Sequence, residues 1–271
     1  MLSRYKKSSA AHTDHSYVRK AARGLTNWKK RLTAGALALM VLALAAVPYW
    51  PWGGAETGQQ VLGEAKIPAG PYVALTFDDG PRASTTTTLL DGLSQRGVHA
   101  TFFVVGENVE GNELLLQRMA GEGHQIGLHT YHHKVLAELN ASDFYAEVDE
   151  LRATLTALVG REKFMLRPPY GMMNAATQDR AAAPIILWSV DPEDWSDRDT
   201  ARQVSVILDG VEDGDIILLH DIYPASVETA LQVVDALMAK GFHFVTVEEL
   251  FAIRGKTPEN GKVYRRLPPS T

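Results

Sequence analysis

Short apolar runs alternate with amphipathic stretches from residue 72 to residue 247. Most of these runs are apolar throughout, which is typical of strands that crossover helices bury on both faces. The seven predicted strands are residues 72–77, 100–105, 125–128, 164–166, 185–190, 216–219 and 242–247. The six predicted helices between them are residues 85–95, 113–121, 143–159, 175–182, 201–211 and 226–240. The alternation therefore predicts an α/β fold with a parallel sheet.

The number of predicted strands favours a closed or nearly closed barrel. Seven strands within about 180 residues fit a (β/α) barrel better than an open doubly wound sheet, which remains the alternative. In such barrels the chemistry gathers where the strands end at their C-terminal edge. Five of the seven predicted strands are followed there by titratable side chains, namely Asp78 and Asp79, His129 and His133, Arg167, Asp191 and Asp194, and His220 and Asp221. We expect these groups to converge on one mouth of the barrel.

The N-terminal segment combines a basic leader with an uncharged apolar run. Residues 1–31 carry nine Lys or Arg and one acid, whereas residues 32–47 carry no charge. Sixteen residues form a helix of about 24 Å, which crosses a hydrocarbon core of about 30 Å only if flanking residues contribute. Tyr49, Trp50 and Trp52 suit the membrane interface, and the bases that end at Arg31 suit the cytoplasmic side.

We therefore expect an uncleaved single-pass membrane anchor at residues 32–52, with the residues after it outside the cytoplasm. A cleavable signal peptide is one alternative, and it would give a secreted protein. A nucleic-acid-binding basic tail is the other alternative, which the adjoining apolar run disfavours.

The charge balance and the lack of cysteine exclude several classes of function. The 240 residues after the leader carry a net charge of −13, which argues against nucleic acid as a partner. The chain contains no cysteine, so it has no disulfide, no thiolate nucleophile and no Cys-ligated zinc. Any metal ion must be held by histidines and carboxylates.

The sequence HTYHH at residues 129–133 is a candidate metal-binding segment. Histidines four residues apart, His129 and His133, lie on one face of a helical turn and can bind one cation. His129 and His132, three residues apart, are the alternative pair. Two histidines and an aspartate that leave coordination positions open suit a catalytic Zn²⁺.

Several of the candidate residues also have a purely structural interpretation. Asp78 and Asp79 fit a solvated turn, because Asp-Gly and Gly-Pro are common turn dipeptides. Arg167 fits a surface salt bridge, and Trp188, inside an apolar run, fits the core. For Asp191 and Asp221, which follow predicted strands, we expect a structural role in their loops.

Five motifs together resemble the ordered motifs of the NodB-homology polysaccharide deacetylases, carbohydrate esterase family 4. They are TFDDGP (76–81), HTYHH (129–133), RPPYG (167–171), DPEDW (191–195) and LLHD (218–221). They occur in the order of the family, and the flanking segments also resemble bacterial peptidoglycan N-acetyl deacetylases. The resemblance implies a distorted (β/α) barrel of about seven parallel strands. One departure is the short stretch of thirteen residues, 172–184, between RPPYG and ILWSV, for which we expect a short helix.

The resemblance also implies a role for each matching residue. Asp79, His129 and His133 would hold a divalent metal, Zn²⁺ by preference, with Co²⁺ or Ni²⁺ as alternatives. Asp78 would be the general base, oriented by Arg167, and His220 the general acid, oriented by Asp194. The backbone N–H of Tyr170 would stabilise the oxyanion, and Trp195 and Leu218 would form the walls of the acetyl pocket.

The implied function is a metal-dependent hydrolase that removes N-acetyl groups from cell-wall polysaccharide, either peptidoglycan or chitin-like oligomers. The attack would come from a metal-activated water on the acetamide carbonyl. An O-acetyl esterase acting on acetylated xylan or another glycan is one alternative, and a non-catalytic glycan-binding module is another. We expect a monomer with a basic cytoplasmic leader (1–31), the anchor (32–52), a Gly-rich linker (53–70), a catalytic domain (71–255) and a C-terminal tail (256–271).

Overall fold

Strands and α-helices alternate through the part of the chain that the computed structural model describes, residues 68–269. The strands are β1 (Tyr72–Asp78), β2 (Thr101–Val104), β3 (Gln125–Leu128), β4 (Ile185–Ile186), β5 (Ile216–His220), β6 (His243–Val245) and β7 (Val263–Tyr264). The α-helices are α1 (Ala83–Arg96), α2 (Glu113–Gly121), α3 (Ala141–Val159), α4 (Ala175–Arg180), α5 (Thr200–Gly210), α6 (Pro224–Ala239) and α7 (Val247–Ile253). The short helix expected at residues 172–184 is α4.

The central sheet is parallel and is built around β1. β1 pairs with β5 along Ala74–Asp78, with β2 along Thr76–Asp78 and with β6 along Tyr72–Ala74. β3 extends the sheet beyond β2, again in parallel. Because β2 and β6 pair with different halves of β1, they share one of its edges, while β5 occupies the other. The predicted α/β fold with a parallel sheet is confirmed.

Single parallel bridges continue the pairing around the outside of this sheet. They join Leu128 to Leu166, Leu166 to Ile185, and Val190 to Ile217 in β5. The pairings therefore run from β3 through residues 166–190 back to β5, which is consistent with a barrel-like arrangement.

Two predicted strands are much shorter than expected. Residues 164–166 contribute only the bridges at Leu166, and Pro168, which follows closely, has no N–H to continue a ladder. Residues 185–190 form a strand only at Ile185–Ile186. The Arg167 guanidinium donates to the carbonyl oxygens of Ile186 and Leu187, both at 3.1 Å, so these acceptors are taken by a side chain.

The end of the folded unit also differs from the prediction. The predicted strand at 242–247 ends at Val245, because Thr246 caps α7 in a reciprocal capping box with Glu249. Beyond residue 255, β7 pairs in parallel with β4, and Leu267 is buried. Residues 256–269, which the sequence analysis assigned to a tail, therefore pack onto the domain.

The two faces of β1 belong to different apolar clusters. Val73, Leu75 and Phe77 pack in the larger cluster, and Tyr72 and Ala74 in the smaller one. Since side chains alternate along a strand, Thr76 and Asp78 lie on the same face as Tyr72 and Ala74. This alternation places Asp78 on the face that also carries the buried Arg167.

Among residues 68–269, no helix combines the length and hydropathy needed to span a membrane. The predicted anchor at residues 32–52 lies outside the described residues.

Candidate functional site

A cleft of about 600 Å³ opens where β1, β3 and β5 end. Eight of the ten predicted site residues line it, namely Asp78, Asp79, His129, His133, Tyr170, Trp195, Leu218 and His220. The other two, Arg167 and Asp194, are fully buried and contact lining residues. The structure thus brings all ten predicted residues to one place.

Asp78, the last residue of β1, is held by a buried arginine. Arg167 Nη1 donates to Asp78 Oδ1 at 2.7 Å and to Thr76 Oγ1 at 2.8 Å. The guanidinium also lies 4.1 Å from the centre of the Phe103 ring. With one carboxylate oxygen fixed by Arg167, the orientation of Asp78 is set, and Oδ2 is left to face the cleft. Arg167 is therefore a buried partner of Asp78 and not part of a surface salt bridge.

Asp79 and the two histidines form a compact group of possible metal ligands. Asp79 Oδ1 lies 3.1 Å from His133 Nε2 and 3.4 Å from His129 Nε2. Each of the three residues offers one ligand atom, and these three atoms lie within 4.8 Å of one another. His129 Nδ1 lies 2.7 Å from the carbonyl oxygen of Arg167, so this nitrogen carries the proton and Nε2 is free to bind a cation.

The charge state of Asp79 fits a cation site. Asp79 Oδ1 is buried without a well-aligned hydrogen bond. Burial opposes ionisation of Asp79, but His129 and His133 outweigh it and hold the pKa of the carboxyl well below its usual value. An ionised oxygen that faces two imidazole nitrogens is a donor set that suits Zn²⁺ and similar divalent ions.

The histidine pair does not lie on a helical turn, so that part of the prediction is wrong. The loop at residues 129–135 is non-helical, and Thr130 (φ 65°) and His133 (φ 54°) adopt left-handed backbone conformations. His132 turns away and contacts Glu147, which leaves the pair His129 and His133 to face Asp79. The spacing of four residues is preserved, but a tertiary contact and not a helix brings the two rings together.

His220, at the end of β5, is paired with a fully buried aspartate. Its Nδ1 lies 2.8 Å from Asp194 Oδ1, and its backbone N–H donates to Asp194 Oδ2 at 2.8 Å. Burial alone would lower the pKa of His220, but the Asp194 carboxylate outweighs it and raises the pKa to about 9. His220 is therefore protonated at neutral pH, and its Nε2–H is available to the cleft.

Tyr170 lies on a short strained turn beside the histidines. Its φ of 60° is in the left-handed region, within a 3₁₀ turn at Pro169–Gly171. Tyr170 is 64% exposed, and the centre of its ring lies 4.8 Å from that of His133. The next residue, Gly171, has no side chain, and a Cβ at this position would lie 2.9 Å from the Trp188 ring, closer than packing allows.

Apolar side chains form one wall of the cleft. Leu218 is buried, whereas Trp195 is 53% exposed. Trp188 and Tyr223 also line the cleft, although sequence reasoning placed Trp188 in the core and did not single out Tyr223. Trp188 is only partly buried, because β4 ends at Ile186 and the chain turns towards the cleft.

Two other carboxylates near the cleft serve the loops. Asp191 Oδ1 accepts the Glu193 N–H at 2.8 Å, and burial raises the pKa of the Asp191 carboxyl. Asp221 is fully buried and accepts a hydrogen bond from Thr86 Oγ1. Burial raises the pKa of Asp221 to about 7, and the nearby negative charge of Asp79 acts in the same direction. The hydrogen bond from Thr86 opposes this rise but is outweighed. Glu147 is a further buried carboxylate near the site that no sequence motif indicated.

Comparison with known proteins is consistent with this geometry. The family described as "Polysaccharide deacetylase" matches residues 65–184. The peptidoglycan-N-acetylglucosamine deacetylase PgdA of Listeria monocytogenes is 37% identical over 192 residues, which cover 71% of this chain and 41% of that protein. The chain thus spans about two fifths of the length of this relative.

Two solved structures match this chain over nearly the whole of their own length. A structure described as "T48 deacetylase with substrate" is 41% identical, with a TM-score of 0.69, and the match covers 72% of this chain and 96% of the other. A family 4 acetyl xylan esterase from Clostridium thermocellum, solved with a cobalt ion, is 30% identical with a TM-score of 0.69. That match covers 73% of this chain and 99% of the esterase.

Proposed function

The chain belongs to the polysaccharide deacetylase family, and on that premise we propose that it is a metal-dependent hydrolase of N-acetyl groups in cell-wall polysaccharide. The observation that carries this proposal is the convergence of two sets of groups in one cleft. Asp79, His129 and His133 offer a cation site. Asp78 and His220 offer a proton acceptor and a proton donor beside it.

The proposed ligands are Asp79 Oδ1 and the Nε2 atoms of His129 and His133. A divalent cation bound there would supply a Lewis acid that polarises the acetyl carbonyl and makes water more acidic. Zn²⁺ fits this donor set best, and Co²⁺ or Ni²⁺ are further candidates. The unsatisfied buried oxygen of Asp79 supports the assignment.

The proton transfers are assigned to residues on either side of this site. Asp78 Oδ2 accepts a proton from the attacking water, while Arg167 holds Oδ1. His220 donates its Nε2 proton to the departing amine nitrogen, so the C–N bond breaks and acetate is released. Asp194 keeps His220 protonated for this step.

The acetyl group itself is positioned by backbone and apolar groups. The N–H of Tyr170, on the turn beside His133, would donate to the carbonyl oxygen as negative charge develops on it. Leu218 and Trp195 would contact the acetyl methyl, and Trp188 extends the same wall.

The cell-wall substrate is supported by the peptidoglycan deacetylase among the relatives and by the apolar run at residues 32–52. An anchor there would hold a monomeric catalytic domain outside the cytoplasm, next to peptidoglycan. If the segment is cleaved, the domain would be secreted. O-acetyl esterase activity on acetylated xylan is the second candidate, because the acetyl xylan esterase structure shares the fold.

Acetate release from N-acetylglucosamine oligomers and peptidoglycan, measured beside release from acetylated xylan, tests the proposal. We expect the N-acetylated substrates to be used with the higher kcat/KM. We expect chelation to abolish the release and Zn²⁺ or Co²⁺ to restore it. Higher kcat/KM on acetylated xylan would select the esterase, and no release from any of these substrates would refute catalysis.

A further inference from the structure

Glu147 is a carboxylate on α3 whose side chain is only 2% exposed, and the proposed reaction does not use it. It faces the loop that carries the two proposed histidine ligands. Oε2 accepts the backbone N–H of His132 at 2.7 Å. Oε1 lies 2.9 Å from His132 Nδ1 and 2.8 Å from Lys134 Nζ.

The backbone of Glu147 binds the same loop. Its carbonyl oxygen accepts the N–H of Tyr131 at 3.0 Å. One residue of α3 thus contacts three residues of this loop, Tyr131 and His132 between the ligands and Lys134 just beyond them.

The loop needs such a support because its backbone is strained. Thr130 and His133 both have a positive φ, which is strained for a non-glycine residue and persists only where surrounding contacts impose it. Glu147 provides these contacts from a position fourteen residues beyond His133 in the sequence.

The two proposed ligands depend on this support to different degrees. His129 follows β3 directly, donates its N–H to the Val104 carbonyl at 2.9 Å, and is further fixed by the Arg167 carbonyl. His133 lies at the far end of the strained loop and is 26% exposed. The direction of its ring therefore follows from the path of residues 130–134. The N–H groups of Gly106 and Glu107 hold the carbonyl oxygens of Thr130 and Tyr131 at 3.1 and 2.9 Å, and Glu147 holds the part of the loop nearest His133.

We propose that Glu147 is the positioning residue that aims His133 at the cation site by holding the loop at residues 130–134. The proposal rests on the proposed function, since it concerns the same cation. A carboxylate is required because both oxygens accept and neither donates. In a Glu147→Gln variant, the NH₂ group faces a donor in either orientation, the His132 backbone N–H at the position of Oε2 or Lys134 Nζ at the position of Oε1.

The test measures metal affinity and not only activity. Metal-free full-length protein is titrated with Zn²⁺ against a chromogenic chelator, and with Co²⁺ while the visible absorption of the ion is recorded. For E147Q we expect the Kd for either ion to rise about 10–100-fold, as for other residues that orient metal ligands. We also expect a changed Co²⁺ spectrum, because the coordination geometry changes.

Asp213→Asn is the matched control. Asp213, like Glu147, accepts a backbone N–H, that of Tyr72 at 2.7 Å, and a cationic side chain, Arg254. Tyr72 begins β1, so this pair lies about 23 Å from Asp79 along the strand. D213N is expected to lower the Tm while leaving the Kd and the Co²⁺ spectrum unchanged.

His132→Ala keeps the proposal testable if E147Q folds poorly, and a double variant tests whether the effect of E147Q passes through His133. His132→Ala removes the ring contact but keeps the backbone hydrogen bond, and we expect a smaller rise in Kd. In a His133→Ala background, E147Q should add little to the loss, because both changes act on one ligand. A Kd for E147Q or H132A within twofold of the wild-type value, or an undiminished effect in the H133A background, would overturn the proposal. If wild-type protein binds neither ion, the proposed function fails instead.

Discussion

Asp78 and Asp79 are adjacent in sequence but make different closest contacts, although Asp78 Oδ2 also lies 3.7 Å from His129 Nε2. Asp78 is bonded to Arg167, and Asp79 faces His129 and His133. The backbone of Asp79 is in a left-handed conformation (φ 70°), which turns its side chain away from the direction of β1. The change in backbone direction separates the two carboxylates, so one can bind a cation while the other accepts a proton.

Asp78→Asn should therefore separate metal binding from turnover. The amide is nearly isosteric and still accepts from Arg167, but it cannot take a proton from water. We expect kcat to fall by about 10²–10⁴-fold while the metal content stays at the wild-type level. Acetate release and elemental analysis of the same samples give the two quantities. The control Asp235→Asn removes an exposed carboxylate that pairs with Arg96, and it should leave kcat and metal content unchanged. A near-normal kcat in D78N would show that Asp78 is not the base.

His220 predicts a pH dependence with a defined sign. Its folded pKa is raised to about 9, so the proton donor is present at neutral pH and is lost as the pH rises through that value. Asp194→Asn removes the charge that raises the pKa. We expect the His220 titration in metal-free protein, followed by NMR, to move from about 9 to lower pH in D194N.

The alkaline limb of the kcat/KM profile in metal-loaded enzyme should shift in the same direction. A bound cation repels the imidazolium, so this limb is expected below the value for metal-free protein. An unchanged limb in D194N would mean that another group is the acid.

At the scale of elements, the turn between β1 and α1 packs against Asp221 and so determines the position of Asp79. Gly80 lies so close to Asp221 that a Cβ would come within 2.3 Å of Asp221 Oδ1. Asp221 is itself held by Thr86 in the first turn of α1. The turn, the helix and the end of β5 are thus packed together under Asp79.

Gly80→Ala should consequently disturb the metal site. Because the Cβ would overlap a buried carboxylate, the turn must shift, and Asp79 shifts with it. We expect a lower Tm and metal affinity reduced at least tenfold, measured by thermal unfolding and chelator competition. Gly121→Ala, at the end of α2 with no atom within 4 Å of its Cβ, is the control and should change neither. Wild-type affinity in G80A would show that the packing under Asp79 is tolerant.

The same elements show what the sequence could predict. Asp78, His129 and His220 were found because parallel strands end at a common edge, and a residue after a buried run must then lie at that edge. The path of residues 129–133 could not be predicted, since the groups that hold it, Glu147 among them, lie in other segments that the spacing of the motif does not reveal. β7, only two residues long, has no recognisable pattern and is defined by its pairing with β4.

Trp188 shows a second limit of the sequence pattern. Its apolar neighbours predict a buried strand, yet Arg167 takes the carbonyl oxygens that a longer strand would use. The spacing of apolar residues indicates which positions are buried, and it contains no information about a charged side chain that enters from another segment of the chain.

At the scale of the whole molecule, charge and hydropathy divide the chain into a basic leader, an apolar run and an acidic body. We propose that the leader lies in the cytoplasm and the body on the other side of a membrane, because Lys and Arg that flank an apolar run, here ending at Arg31, stay in the cytoplasm. This orientation would bring the cleft to the cell wall.

Expression of the full chain with a C-terminal tag in a bacterial host tests this arrangement. We expect the tagged protein at its full mass of 29.7 kDa, apart from the tag, in the membrane fraction. We expect protease added to spheroplasts to digest the tagged domain, because it lies outside the cytoplasm. Leu39→Arg places a charge in the middle of the apolar run, where it opposes insertion by about 2.5–3.5 kcal/mol, and should reduce the membrane-bound fraction. Leu62→Arg, in the predicted linker, should not. A shorter chain in the soluble extracytoplasmic fraction would identify a cleaved signal peptide. A protease-resistant domain in the cytoplasm would reject both the membrane anchor and the signal peptide.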